Sequence, residues 1–127
     1  MPEITADYSL IRAGEARVIP YGWGSLCFLA DASAGTSLDV SMAKAVVAAG
    51  KRNRLHVHPN CDELLYLLVG LIRHRVGEKW VTMAPGDTIR IARGVIHQAE
   101  VTSAQDAEMI VVYSVGDRQT VVLNTPA

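Results

Sequence analysis

Turn residues interrupt this chain too often for it to build long helices. Glycine, proline or a short polar cluster breaks it at close, fairly regular intervals. The stretches between are short, and they either alternate apolar with polar residues or are apolar throughout. Alternation with period two marks a half-buried strand, and many short strands separated by turn signals predict an all-β sandwich or barrel. Segments 25–30, 63–69, 71–76, 80–83, 88–91, 96–101 and 108–114 read as strands, with 119–123 as a last short one before a loose tail. In 38–48, LDVSMAKAVVA, the residues Leu38, Val40, Met42 and Val46 share one parity, and Asp39, Ser41, Ala43 and Ala45 the other. The larger apolar set is expected to face the core. Lys44 falls on that same parity, and its stem is expected to carry the ammonium out to solvent at the strand end. Segment 18–24, VIPYGWG, reads as turn, because Pro20, Gly22 and Gly24 break regular structure. Tyr21 and Trp23 are expected to pack at one end of a barrel. Residues 1–17 read as an edge strand or as an arm that docks on a neighbouring subunit.

Length and charge narrow the function. At 127 residues the chain is expected to form a single domain, 1–127. A hydrophobic share of 50% is too high for a disordered chain. The 12 basic and 13 acidic residues are interspersed for a net charge of −1, which leaves no electrostatic footprint for nucleic acid or an anionic membrane. No apolar run approaches the roughly 20 residues that span a bilayer. The start, MPEITADYSLIRAGE, lacks the basic-then-apolar pattern of a signal peptide, so a cytoplasmic location is expected. Cys27 and Cys61 have no CxxC spacing and are expected to be free thiols behaving as small hydrophobes.

The chemistry concentrates in 50–70, GKRNRLHVHPNCDELLYLLVG. His56 and His58 lie two apart, so on a strand they point to one side. Glu63 follows five residues later, and His97 stands in a second glycine-bounded segment, 85–101, PGDTIRIARGVIHQAEV. A lone strand histidine is usually a hydrogen-bonded core residue; the His-x-His pair with a nearby glutamate shifts the reading to a mononuclear metal site. Imidazole and carboxylate together suit one divalent transition metal ion such as manganese, iron, nickel, copper or zinc. No Ser-His-Asp order, phosphate loop or paired carboxylates suggest another chemistry.

These residues resemble the cupin family. Its first motif is Gly, five residues, His-x-His, three or four residues, Glu, six residues, Gly. This chain has Gly50, His56-Val57-His58, Glu63 and Gly70 at that spacing. The second motif is Gly, five residues, Pro-x-Gly, two residues, His, three residues, Asn. Here Gly86, Gly94 and His97 fall in place over 86–101, while Ala92 stands for the proline and Val101 for the asparagine.

The resemblance implies a single cupin jelly-roll β-barrel with a metal held by His56, His58, Glu63 and His97. Val101, sharing the parity of His97, is expected to put an apolar group into the cavity. Four protein ligands on an octahedral ion leave two positions for water, a bidentate substrate or dioxygen. The expected function is that of a metal-dependent enzyme on a small molecule, dioxygenase-like oxidoreductase first, with lyase, decarboxylase or isomerase chemistry behind it. The alternative is a non-catalytic barrel that binds or senses a small ligand or metal. Arg54, on the parity of the histidine pair, and His74, expected to face inward, are the weaker catalytic candidates. Tyr66 and Arg90 are expected to point outward. Family analogy also predicts a homodimer formed through edge strands, with the apolar C-terminal strand and the N-terminal arm as its contacts.

Overall fold

A computed structural model describes residues 1–123; the tail expected beyond them lies outside the described residues. The elements are β1 (Glu3–Ile4), β2 (Ser9–Leu10), β3 (Arg17–Tyr21), β4 (Gly24–Ala30), β5 (Ser41–Val47), β6 (His56–Val57), β7 (Glu63–Val69), β8 (Ile72–Val76), β9 (Lys79–Met83), β10 (Thr88–Ile91), β11 (His97–Val101), β12 (Ala107–Tyr113) and β13 (Val121–Val122). No helix among the described residues is long and apolar enough to cross a membrane.

Two antiparallel sheets make the body. One has the order β10-β7-β12-β5-β4-β3 and the other β13-β6-β11-β8-β9. Their inward residues form one core: Ala43, Leu65 and Met109 come from the first sheet, and Ile72, Met83 and Val101 from the second. The strand pattern predicts such an all-β sandwich or barrel, and the family resemblance implies this jelly-roll arrangement of it. A small hairpin, β1 with β2, stands apart from both sheets.

Three expectations need correction. In β5 the buried parity is Ser41, Ala43, Ala45 and Val47, while Leu38, Val40 and Met42 are exposed. Of the inward positions, Ala45 and Val47 line a cavity and Ala43 packs in the core, and the bulkier side chains lie outside. Lys44 therefore points outward and pairs with Glu108 at 2.9 Å.

Residues 17–21 are strand rather than turn, despite Pro20. β3 is a sheet edge, where a residue without an N–H breaks no second ladder. The turn is confined to Gly22 and Trp23.

The apolar strand β12, by contrast, is not an edge. It pairs with β5 on one side and β7 on the other, so it has no free ladder to exchange with a second subunit.

Gly70 closes the first motif for a steric reason. Its φ is +86°, and a Cβ there would lie 2.8 Å from the Asp106 carbonyl oxygen and 2.9 Å from Ala107 Cα. Both neighbours are backbone, so neither can swing away. Gly70→Ala is expected to lower stability by about 2–4 kcal/mol, from left-handed strain and overpacking together, measured by urea unfolding.

Candidate metal centre

The four sequence-predicted residues come together from both sheets. His56 lies on β6, directly across from His97 on β11. Glu63 opens β7 in the other sheet, facing Tyr113 of β12. His58 sits just past β6, in the loop that connects to β7. One potential ligand atom from each of His56, His58, Glu63 and His97 lies within 4.8 Å of the others. His58, Glu63 and His97 are buried, and His56 is half-buried.

The local sequence sets these positions. Asn53 fixes the approach to β6: its Oδ1 accepts from Ala99 N at 2.9 Å, and its carbonyl accepts from Gln98 Nε2 at 2.7 Å. The His58 carbonyl accepts from Gly94 N at 3.0 Å, which ties the first motif to the second. The 92–95 turn closes with Val95 N donating to Ala92 O at 3.2 Å, so the missing proline costs no hydrogen bond.

Each imidazole has one nitrogen committed to the scaffold. His56 Nδ1 lies 2.6 Å from the Arg54 carbonyl, His58 Nδ1 2.9 Å from the Gln119 carbonyl, and His97 Nδ1 3.0 Å from the Val95 carbonyl. A carbonyl only accepts, so each Nδ1 carries the proton and each Nε2 presents a lone pair. The Nε2 atoms of His58 and His97 are buried without a hydrogen-bond partner. They lie 3.2 and 3.3 Å from the same oxygen, Glu63 Oε1. Lone pairs facing a carboxylate in a buried pocket call for a cation. The donor set fits a divalent transition metal ion, which the three Nε2 atoms and Glu63 would hold.

The electrostatics agree with that fit. Burial alone would raise the Glu63 carboxyl, yet His58 and His97 outweigh it and hold the group well below the usual carboxylate range. Burial opposes a proton on His97, but Glu63 overrides this and raises the ring above its ordinary value. His56 is pushed down to about 3, by burial first and then by the charge of His97.

Three of the four, His56, Glu63 and His97, lie in the wall of a cavity of about 300 Å³, with His58 behind them. Arg54 lines it and is itself exposed. His74 also lines it, fully buried on β8, with neither ring nitrogen partnered. Val101 does point inward, but it packs in the core and is absent from the cavity wall, where Ala99 takes the expected place.

Tyr66 and Arg90 are exposed, as expected. Cys61 is buried in the core, where burial raises its thiol, and it behaves as a small hydrophobe. Two wall residues lay outside the sequence reading: Tyr113, whose phenol burial holds neutral, and Arg118. Tyr113 read only as part of an apolar strand, and Arg118 as part of a loop with no motif.

A family model described as a cupin domain matches residues 43–113. No curated protein matches the chain. Among solved structures, oxalate decarboxylase from Lactobacillus farciminis in its formate complex superposes with a TM-score of 0.83 at 16% identity, covering 91% of this chain and 36% of that one. The S161A mutant of Bacillus subtilis oxalate decarboxylase gives 0.82 at 23% identity, covering 94% of this chain and 33% of that one. An oxalate oxidase gives 0.72 at 21% identity, covering 80% and 55%. The chain thus spans about a third of the decarboxylases and about half of the oxidase. Identities this low carry the fold and no more.

Proposed function

This chain belongs to the cupin domain family, and from that premise we propose that it is a mononuclear metal-dependent enzyme acting on a small organic molecule, with dioxygenase-like oxidation as the leading chemistry. The observation that carries the proposal is the pair of bare Nε2 atoms, on His58 and His97, converging with His56 and Glu63 beside a cavity. A bound metal would supply Lewis acidity and a place to template a small ligand. The chain's own part is to orient and to exclude water. The Nδ1–carbonyl bonds fix the three rings, and the apolar wall formed by Leu26, Val47, Leu65 and Met109 keeps the site dry. Arg54 at the cavity edge would add positive charge that draws an anionic ligand in.

A decarboxylase reading stands second, favoured by the oxalate decarboxylases among the similar folds. A second copy of the chain as partner and a cytoplasmic location complete the proposal. Sedimentation of the purified chain at two concentrations checks the dimer.

The test is elemental analysis of protein purified without added metal, followed by assays of oxygen uptake and carbon dioxide release on a panel of small carboxylates. Near-stoichiometric transition metal and turnover that stops on chelation are the expected outcome. Oxygen uptake supports the oxidation reading, and carbon dioxide release without it supports the lyase. A chain that neither carries nor loads any transition metal overturns the enzyme reading and leaves a ligand-binding barrel.

A further inference from the structure

The cavity wall carries a cation that the metal cluster does not use. Arg118, on the loop before β13, forms no ion pair among the described residues, whereas Arg17, Arg73 and Arg93 pair with Asp31, Glu100 and Asp62. Its Nε is buried with no hydrogen-bond partner, and its Nη1 donates only to Thr120 Oγ1, at 3.0 Å. A guanidinium presents its donors in a planar fork, so a buried idle Nε beside a cavity is half of a carboxylate site.

The position of Arg118 is built. Asn60, two residues past His58, grips the loop on either side of it: Nδ2 donates to the Asp117 carbonyl at 3.1 Å, and Oδ1 accepts from Gln119 N at 2.9 Å. The Gln119 carbonyl in turn takes the His58 Nδ1 proton. The guanidinium itself lies over Tyr113 at 4.8 Å and over Phe28 at 5.1 Å. One short segment therefore orients both a metal-cluster histidine and the idle arginine.

Elsewhere the wall is flat and aromatic. Tyr21 and Trp23 stack with centroids 4.7 Å apart and planes 5° from parallel, and both line the cavity. Arg54, also without an ion-pair partner among the described residues, lines it as well.

We infer that this cavity selects a small monocarboxylate with a flat apolar body, its carboxylate on the Arg118 fork and its body against the Tyr21–Trp23 stack. The inference deepens the proposed function, because such a ligand would share the cavity with the metal cluster. Charge selection by Arg118 is nevertheless measurable without metal.

Isothermal titration of benzoate, and of its neutral isostere benzamide, into chelator-stripped and into metal-loaded protein is the test. Benzoate is expected to bind at least about tenfold more tightly than benzamide in both forms, the range of a charge-assisted hydrogen-bond pair. Arg118→Gln is expected to remove most of that preference, weakening benzoate far more than benzamide. Acetate, which lacks the flat body, is expected to bind more weakly than benzoate.

Equal binding of benzoate and benzamide overturns the inference, as does a preference that survives in a folded Arg118→Gln variant. Acetate binding as tightly as benzoate overturns the flat-body part. The comparison in the unaltered chain decides even if the variant fails to fold. A preference seen in protein that loads no transition metal keeps this inference and sinks the enzyme reading. Metal loading without the preference does the reverse.

Discussion

Replacing His56 and His58 together by alanine is expected to reduce transition-metal binding by well over about a hundredfold. Loss of a group that merely orients a ligand already costs about 10–100-fold in affinity, and here two ligands go at once. The remaining pair, Glu63 and His97, lie 3.3 Å apart and can satisfy each other with a single proton, so they have little need of a cation. Stability reports the same loss. A ligand present at about a hundred times its Kd stabilises the folded chain by about 2.7 kcal/mol, on the order of 10 °C for a domain of this size. Wild-type protein is expected to gain that shift on metal loading, and the double variant to gain almost none. Elemental analysis and thermal unfolding, each with and without metal, measure the two effects. A double variant that still loads near-stoichiometric metal would move the site away from this cluster.

The convergence of His56, His58, Glu63 and His97 was legible because its information is local. The parity of His56 and His58, the five-residue step to Glu63 and the glycines that bound both motifs are all short-range features. The strand pattern was legible for the same reason, since β7, β8 and β11 begin within a residue or so of where alternation and turn signals put them.

What failed needed tertiary knowledge. In β5 the rule that the bulkier parity faces inward gave way: Ala43 packs in the core, Ala45 and Val47 line the cavity, and Met42 is left outside. Pro20 reads as a turn unless one knows that β3 is an edge. Val101 has the right parity but sits below the cavity floor in the core. Arg118 and Tyr113 reach the site over long sequence separations, through Asn60 and through the pairing of β12 with β7. No periodicity in their own neighbourhoods announces them.

His74→Leu is expected to make the metal-free protein more stable, by about 1–3 kcal/mol at pH 7. That is the order of the cost of leaving buried polar groups unpaired. Both nitrogens of His74 are buried without partners, and the residue is 1% exposed between Ala99 and Val81. Leucine has a similar volume and removes both orphans.

The gain should widen in acid. Burial first, and the charge of His97 after it, push His74 down to about 4, although Glu63 pulls the other way. Between the unfolded value of about 6.5 and that folded value, the unfolded chain binds a proton that the folded chain refuses. The stability of the wild type therefore falls as pH drops through this window, by on the order of 3 kcal/mol from this one group. His56, held down to about 3, adds a second slope that the variant keeps. Urea unfolding of stripped protein from pH 7 to pH 4 should thus show a shallower fall for His74→Leu than for wild type.

The same variant separates the two readings of His74. If it is more stable and turns over substrate unchanged, His74 is a residue of the cavity wall and nothing more. If it is more stable and its turnover collapses while its metal content holds, His74 is retained for a proton-handling role at the expense of stability. A variant less stable than wild type at pH 7 would mean that the ring nitrogens find partners in solution, and the account of His74 as an unpaired buried group would fall.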